Sequence, residues 1–336
     1  MVRLTRAETQ ERNRAKVLAA AREEFAERGF RDAKVDLIAE RAELTRGAVY
    51  SNFPGKRALY FAVLADLAER ASGPPDPQVG RTAQEAIGAF GRAWVARLDE
   101  RSLGRDLIPE ALSDDTVRGA FAELMEFGAL LLALSWERLA PPETPPGAPP
   151  ARLVRAARIV LTTLQGASWL TAAAPGFVEP FDMVSACEQL AGLALNDHWS
   201  PPPIQHLDVV DEPWTVADPA DGVVAVLGLR RLSAAEQALR MGADVTVVVV
   251  ASEPAELMPL ARWMIAEVEG CLRQAFPGPP RVRVLFDETG ALAAAAGADA
   301  GDTTELAVRL DGGRIVARAS GPGACHAVTR ARARRS

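Results

Sequence analysis

The sequence predicts a multidomain chain: an all-α helix-turn-helix segment, a second all-α domain, and an α/β domain towards the C-terminus. Three observations predict it. Up to about residue 199 apolar residues recur at helical spacing, with almost no β-branched runs. From residue 222 onward, short valine-rich runs alternate with helical stretches. Finally, Thr45–Arg57 reads as a short helix with a capping Thr, then a Pro-Gly turn, then a Lys heading the next apolar helix. A chain of 336 residues is long enough for two or three domains.

The elements follow in order. Residues 9–28 lack Pro and Gly and place Val17, Leu18, Ala21 and Phe25 on one stripe; Gly29 stops that helix. A second helix at about 35–42 buries Val35, Ile38 and Ala39, a third spans about 46–52, and a fourth about 56–71. Val49 and Phe53 lie four apart and face the core, so Arg46, Gly47, Tyr50 and Ser51 face outward. Gly73–Pro77 is a hinge. Helical patterning resumes at about 81–100, 104–113, 115–140, 151–173 and 180–198, with a Pro-rich insert at 141–150. Ser200–Pro203 closes this block as a stiff linker. Beyond it, Gly222–Leu229, Asp244–Ala251 and Arg281–Phe286 read as strands. Residues 232–242 and 253–276 are helical, and Asp311-Gly-Gly turns a hairpin between Glu305–Leu310 and Arg314–Ala319.

Charge is unevenly spread. The whole chain is at −6, yet residues 1–70 carry a net +3 and residues 71–329 a net −13, with four further arginines in the last seven residues. Local charge governs phosphate binding, because screening acts over about 8 Å at physiological salt. Cys187, Cys271 and Cys325 are few and far apart and form no Cys-x-x-Cys pair, which gives zinc and dithiol chemistry no local support. No apolar run is long enough to span a membrane and the N-terminus lacks a secretory core, so the expectation is a cytoplasmic protein without cofactor or metal.

A helix-turn-helix places the start of its second helix in the DNA major groove while neighbouring groups hold phosphates. Thr45 is a cap whose hydroxyl could also reach DNA; Arg46 suits guanine or phosphate; Gly47 allows close backbone approach; Tyr50 suits a phosphate. Lys56 could share a phosphate with a helix N-terminus, or simply be solvated. Residues 9–71 resemble the DNA-binding domain of TetR-family transcriptional regulators. The resemblance runs through Ala20–Phe30, Ile38-Ala39, Leu44–Phe53, Gly55-Lys56 and Leu59. It implies DNA contacts at Thr45, Arg46, Gly47, Tyr50, Asn52 and Lys56, with Ser51 beside them. Two departures stand out. Lys34 replaces a hydroxyl residue at the start of the second helix, and Glu43 replaces the turn glycine.

The resemblance also implies that residues 78–199 bind a small-molecule effector and dimerise. Phe90, Trp94, Phe121, Met125, Trp136 and Trp169 are the candidate pocket, or plain core, for a mostly apolar ligand. Val154, Ala157, Leu161, Leu164, Cys187, Leu190, Ala191 and Leu195 are the candidate dimer seam. The expected whole is a non-enzymatic homodimeric repressor on a palindromic double-stranded operator, with domains at 1–72, 78–199 and 205–329 and an Arg-rich tail at 330–336. Residues 205–329 resemble a thioredoxin-like domain, but Gly228–Ser233 stands where a nucleophilic Cys is needed and Gly301–Thr304 where a Pro precedes the hairpin. The alternative is a redox-linked regulator or enzyme in which this extension carries thiol chemistry, with Cys325 beside His326 the sole hint.

Overall fold

The computed structural model describes residues 5–71, 79–98, 102–106, 109–110, 113–144, 146–203, 206–219, 221–278, 280 and 282–330. The hinge at Gly73–Pro77 and the tail beyond Arg330 lie outside them. Helix α1 (Arg6–Asp32) opens with a capping box. Thr5 Oγ1 accepts from the Glu8 amide at 3.2 Å and Glu8 Oε2 from the Thr5 amide at 2.7 Å. Gly29 leaves helical geometry at φ 71°, so the chain breaks at the residue expected to stop it. Helices α2 (Val35–Arg41), α3 (Arg46–Tyr50) and α4 (Lys56–Arg70) complete the headpiece. Val17, Phe25, Ile38, Val49 and Phe53 pack against α4, where Phe25 meets Tyr60 edge-on at 5.4 Å. Buried Glu24 ties α1 to α2 by accepting from Arg41 Nη2 at 3.2 Å and the Lys34 amide at 3.3 Å.

The second helical region comprises α5 (Ala83–Val95), a 3₁₀ turn (Ser102–Asp106), α6 (Asp115–Leu139), α7 (Val154–Ala173) and α8 (Pro180–Leu190). The helix expected over 104–113 is thus a 3₁₀ turn at its start, and part of it lies outside the described residues. α8 also stops at Leu190 rather than running to 198. Buried Asp197 explains this, since its carboxylate accepts from Arg152 Nε and the Arg155 amide, both at 2.8 Å. That anchor draws the chain back along the 150s, where Ala151 bridges His198 and the Trp199 amide donates to Pro150 at 2.9 Å.

The C-terminal region builds one six-stranded mixed sheet in the order β1-β6-β5-β2-β3-β4. Its strands are β1 (Asp208–Pro213), β2 (Gly222–Gly228), β3 (Val245–Val250), β4 (Val282–Phe286), β5 (Glu305–Asp311) and β6 (Arg314–Ser320). β2, β3 and β4 run parallel, joined by α9 (Ala235–Leu239) and α10 (Pro254–Ala275); β5 and β6 run antiparallel beside β2, with β1 antiparallel on β6. Helix α11 (Ala291–Ala296) precedes β5 and α12 (Ala324–Arg330) follows β6. β1 and α12 were not expected from the pattern. Gly312 and Gly313 have φ 58° and 72°, as a two-residue hairpin turn requires, and both amides donate to the Asp221 carboxylate at 2.9 and 3.1 Å.

Both sheet faces are covered. Val224, Val226, Val248 and Val250 pack with α11 in one cluster. Val223, Ala225, Leu227, Val247 and Val249 belong to a second cluster that continues through α10 into the helical domain and the headpiece. Helix α10 packs chiefly on α4, then on α6 and α5. It buries one broad apolar face, Leu257, Met258, Leu260, Ala261, Met264, Ile265, Val268, Cys271 and Leu272, and keeps Arg262, Glu269 and Arg273 on the opposite, half-buried side. The C-terminal region therefore shares a core with what precedes it.

Candidate nucleic-acid interface

The recognition segment is built as a short capped helix. Thr45 adopts extended geometry and its Oγ1 accepts from the Ala48 amide at 3.2 Å, so the hydroxyl is already the cap of α3. Arg46, Gly47, Tyr50 and Ser51 face outward, whereas Val49 and Phe53 are buried. Gly47 has no internal reason to be glycine, because a Cβ there would meet nothing nearer than Thr45 Oγ1 at 3.9 Å. Its bareness clears space only for something outside the chain. Arg46 pairs with Asp36 at 3.1 Å and lies 5.5 Å from the centre of the exposed Tyr50 ring. Ser51 Oγ and Asn52 Nδ2 both donate back to the Ala48 carbonyl, at 2.9 and 2.8 Å.

Three flanking positions refine the picture. Lys56 is neither solvated nor pointing free: its ammonium donates to the Arg31 and Ala33 carbonyls at 2.9 and 3.1 Å and lies 4.7 Å from the Phe30 ring centre. The carbonyls at the end of α1 need donors, and Lys56 supplies them. Glu43 has φ 56°, the left-handed conformation a turn glycine would hold, and its carboxylate pairs with Lys16 at 3.4 Å. Lys34 heads α2 with an exposed side chain that makes no cap.

Residues 17–63 match the family model described as "Bacterial regulatory proteins, tetR family". The chain carries a TetR-family N-terminal domain. Two curated relatives share 48% identity over 65 residues, 19% of this chain. They are the HTH-type transcriptional regulator SrpR of Pseudomonas putida and the uncharacterized HTH-type transcriptional regulator TtgW of the same species. The matched stretch spans 30% of the first and 48% of the second. Among solved structures, a FadR regulator from Bacillus subtilis in complex with stearoyl-CoA is 16% identical, covering 53% of this chain and 96% of its own at a TM-score of 0.38. A Thermus thermophilus FadR in complex with lauroyl-CoA is 18% identical, covering 56% and 100% at the same score. At that score the likeness carries no argument.

Behind the TetR-family headpiece, a cleft of about 50 Å³ opens between α5, α6, α7 and α10. Four of the six expected residues line it: Trp94, Phe121, Met125 and Trp169. Phe90 and Trp136 do not; both are core, at 0% and 2% exposed. Trp94 Nε1 donates to Ser168 Oγ at 3.0 Å across the cleft. Sequence reasoning missed the fourth wall, Trp263, Met264, Glu267 and Val268, because it lies on α10 beyond the linker.

The expected dimer seam is corrected by burial. Val154, Ala157, Leu161, Leu164 and Cys187 are at most 3% exposed within a single chain, because α7 and α8 turn these small and apolar faces onto α5 and α6. Leu190, Ala191 and Leu195 are half-buried. The same helices and the loops after them instead expose Ile159, Trp169, Leu170, Phe177, Phe181 and Leu193.

All three thiols are buried. Burial pushes Cys187 up to about 12 and Cys325 higher still, with Glu305 adding to the latter. Beside Cys325, the buried His326 ring lies edge-on to Trp199 at 6.0 Å. Among the described residues no group of three His, Cys, Asp or Glu could hold a metal ion, and no helix is long and apolar enough to cross a membrane.

Proposed function

We propose that this protein is a homodimeric DNA-binding transcriptional repressor, released from a palindromic operator by a small, mostly apolar effector in the cleft. The observation that carries the reading is the outward face of α3. Arg46, Gly47 and Tyr50 are exposed there without a packing role, inside the segment that matches the family. Lys34 extends that face towards phosphates from the head of α2, while Thr45, Ser51 and Asn52 hold α3 in place and Lys56 holds the end of α1. The exposed apolar side chains of Ile159, Leu170, Phe177 and Phe181, on α7, on α8 and in the loop between them, support a two-fold partner. The two curated relatives are named as transcriptional regulators.

The C-terminal domain is read as a thioredoxin-like scaffold without thiol chemistry. The parallel pair β2 and β3 joined by α9, then the hairpin β5–β6 and the closing helix α12, favour that scaffold, to which β4 adds a third parallel strand, while buried high-pKa thiols disfavour the redox-linked alternative.

The test is a gel shift on the DNA upstream of the coding region. Salt-sensitive binding that weakens at least about tenfold in Arg46→Ala and Tyr50→Ala is the expected result. Binding absent in the parent, or indifferent to both substitutions, overturns the reading.

A further inference from the structure

We propose that the cleft is a site for a planar aromatic carboxylate, walled by both the helical and C-terminal domains and charge-paired by Arg97. This deepens the effector reading above and rests on it for the cleft's regulatory meaning, though not for the binding itself.

Three indoles from three helices define the shape: Trp94 on α5, Trp169 on α7 and Trp263 on α10. Flat rings spaced around a narrow slot favour a flat apolar ligand. Arg97 supplies the charge. It stands in the turn after α5, only 6% exposed, and neither Nη1 nor Nη2 has a hydrogen-bond partner among the described residues. A buried guanidinium without an acceptor is a costly thing for a fold to retain. The structure also makes room for it. A Cβ on Gly270 of α10 would stand 2.5 Å from Arg97 Nη1 and 3.0 Å from Nη2, so only a glycine lets the guanidinium lie there.

The two features adjoin. Trp94 lies one helical turn before Arg97, and Glu267 lies one turn before Gly270; Trp94 and Glu267 both line the cleft. The guanidinium therefore lies against α10 one helical turn from a residue of the cleft wall, although Arg97 is not itself part of the lining. A carboxylate carried on the ligand's ring would accept two parallel N–H bonds from Arg97, the geometry a guanidinium fork favours. Glu267, the cleft's own carboxylate, already has a partner of its own. A cleft of only about 50 Å³ admits a bicyclic ring only if α10 moves from α6 and α7, and α10 is the helix seated on α4. Occupancy would thus bear on the headpiece through a C-terminal element.

The experiment is calorimetric titration of the full chain, without DNA, using 2-naphthoate and its neutral counterpart 2-naphthalenemethanol. Naphthoate should bind about tenfold tighter or better. Arg97→Met should erase that preference while leaving the alcohol within about threefold. Arg97→Lys, which retains the charge but not the fork, should lose part of it, and it serves where Arg97→Met does not fold. Trp263→Ala should weaken both probes alike. Equal affinity for the two probes in the parent, an undiminished preference in the Arg97 variants, or no binding of either probe overturns the proposal. A chain that shows the preference but fails the gel shift loses the repressor reading and keeps this site. The reverse outcome removes this site alone.

Discussion

Leu260→Ala tests whether the C-terminal region and the headpiece form one cooperative body. Leu260 lies in the first third of α10, fully buried, between the Arg57–Glu256 ion pair and the Arg262–Glu69 pair that bind α10 to α4. Truncating a fully buried leucine removes its transfer free energy and leaves a cavity, together about 3 kcal/mol within a range of roughly 2–5. At 1.4 kcal/mol per tenfold, that is roughly two orders of magnitude in an opening equilibrium. Native-state hydrogen exchange reads it residue by residue. Amides of α4 between Ala58 and Ala68, which line up buried side chains almost without a break, should accelerate by the same factor as those of α10. Acceleration confined to α10, with α4 retaining its protection, would mean two independent units and would refute the shared core.

Glu43→Gly should leave folding stability within about 0.5 kcal/mol, because relief of a left-handed non-glycine residue is offset by glycine's greater unfolded freedom and the lost pair with Lys16. It should nevertheless tighten DNA binding and steepen its salt slope by about one as Lys16 is freed; a slope unchanged in gel shifts contradicts this. Asp221→Asn should destabilise the hairpin at neutral pH. Two amides hold the Asp221 carboxyl below the usual carboxylate range, so its contribution is complete above that range and is lost as pH falls through the lowered folded value. Urea melts of parent and variant should converge towards low pH; a gap that widens on acidification runs against the assignment. Cys187, Cys271 and Cys325 should resist a water-soluble disulfide reagent until the chain is unfolded, and fast native labelling of Cys325 would revive thiol chemistry.

Much of this was legible in the chain because the signals were local. The capping Thr45, the Gly29 stop, the Asp311-Gly-Gly turn and the valine runs each act within a few residues, and each sits where the pattern placed it. The intramolecular partners of Lys56 were not legible because the carbonyls of Arg31 and Ala33 lie more than twenty positions away. The end of α8 was missed for the same reason: Asp197 stops it by reaching Arg152. That five of the eight seam residues turn inward was hidden, because a helix with small and apolar residues on one side gives no sign of whether that side meets its own chain or a copy. The fourth wall of the cleft had a readable clue, a long helix after the linker with a broad apolar face, but no rule that says which neighbour covers it.

The headpiece's net +3 overstates what it can offer a phosphate backbone. Lys16 is held by Glu43, Arg46 by Asp36, Lys56 by two carbonyls, and Arg41 by Glu23, Glu24 and Glu27. DNA must displace Glu43 and Asp36 before Lys16 and Arg46 can release counterions, so each contact yields less than a free lysine or arginine would. The remainder of the chain adds acidic charge. One headpiece should therefore bind random sequence poorly, and in the dimer proposed above useful affinity would come from base-edge contacts along α3 multiplied by a second headpiece on the same duplex. Linking two weak sites raises occupancy steeply only when both fit at once, and so in that dimer the spacing between headpieces would be the sensitive variable.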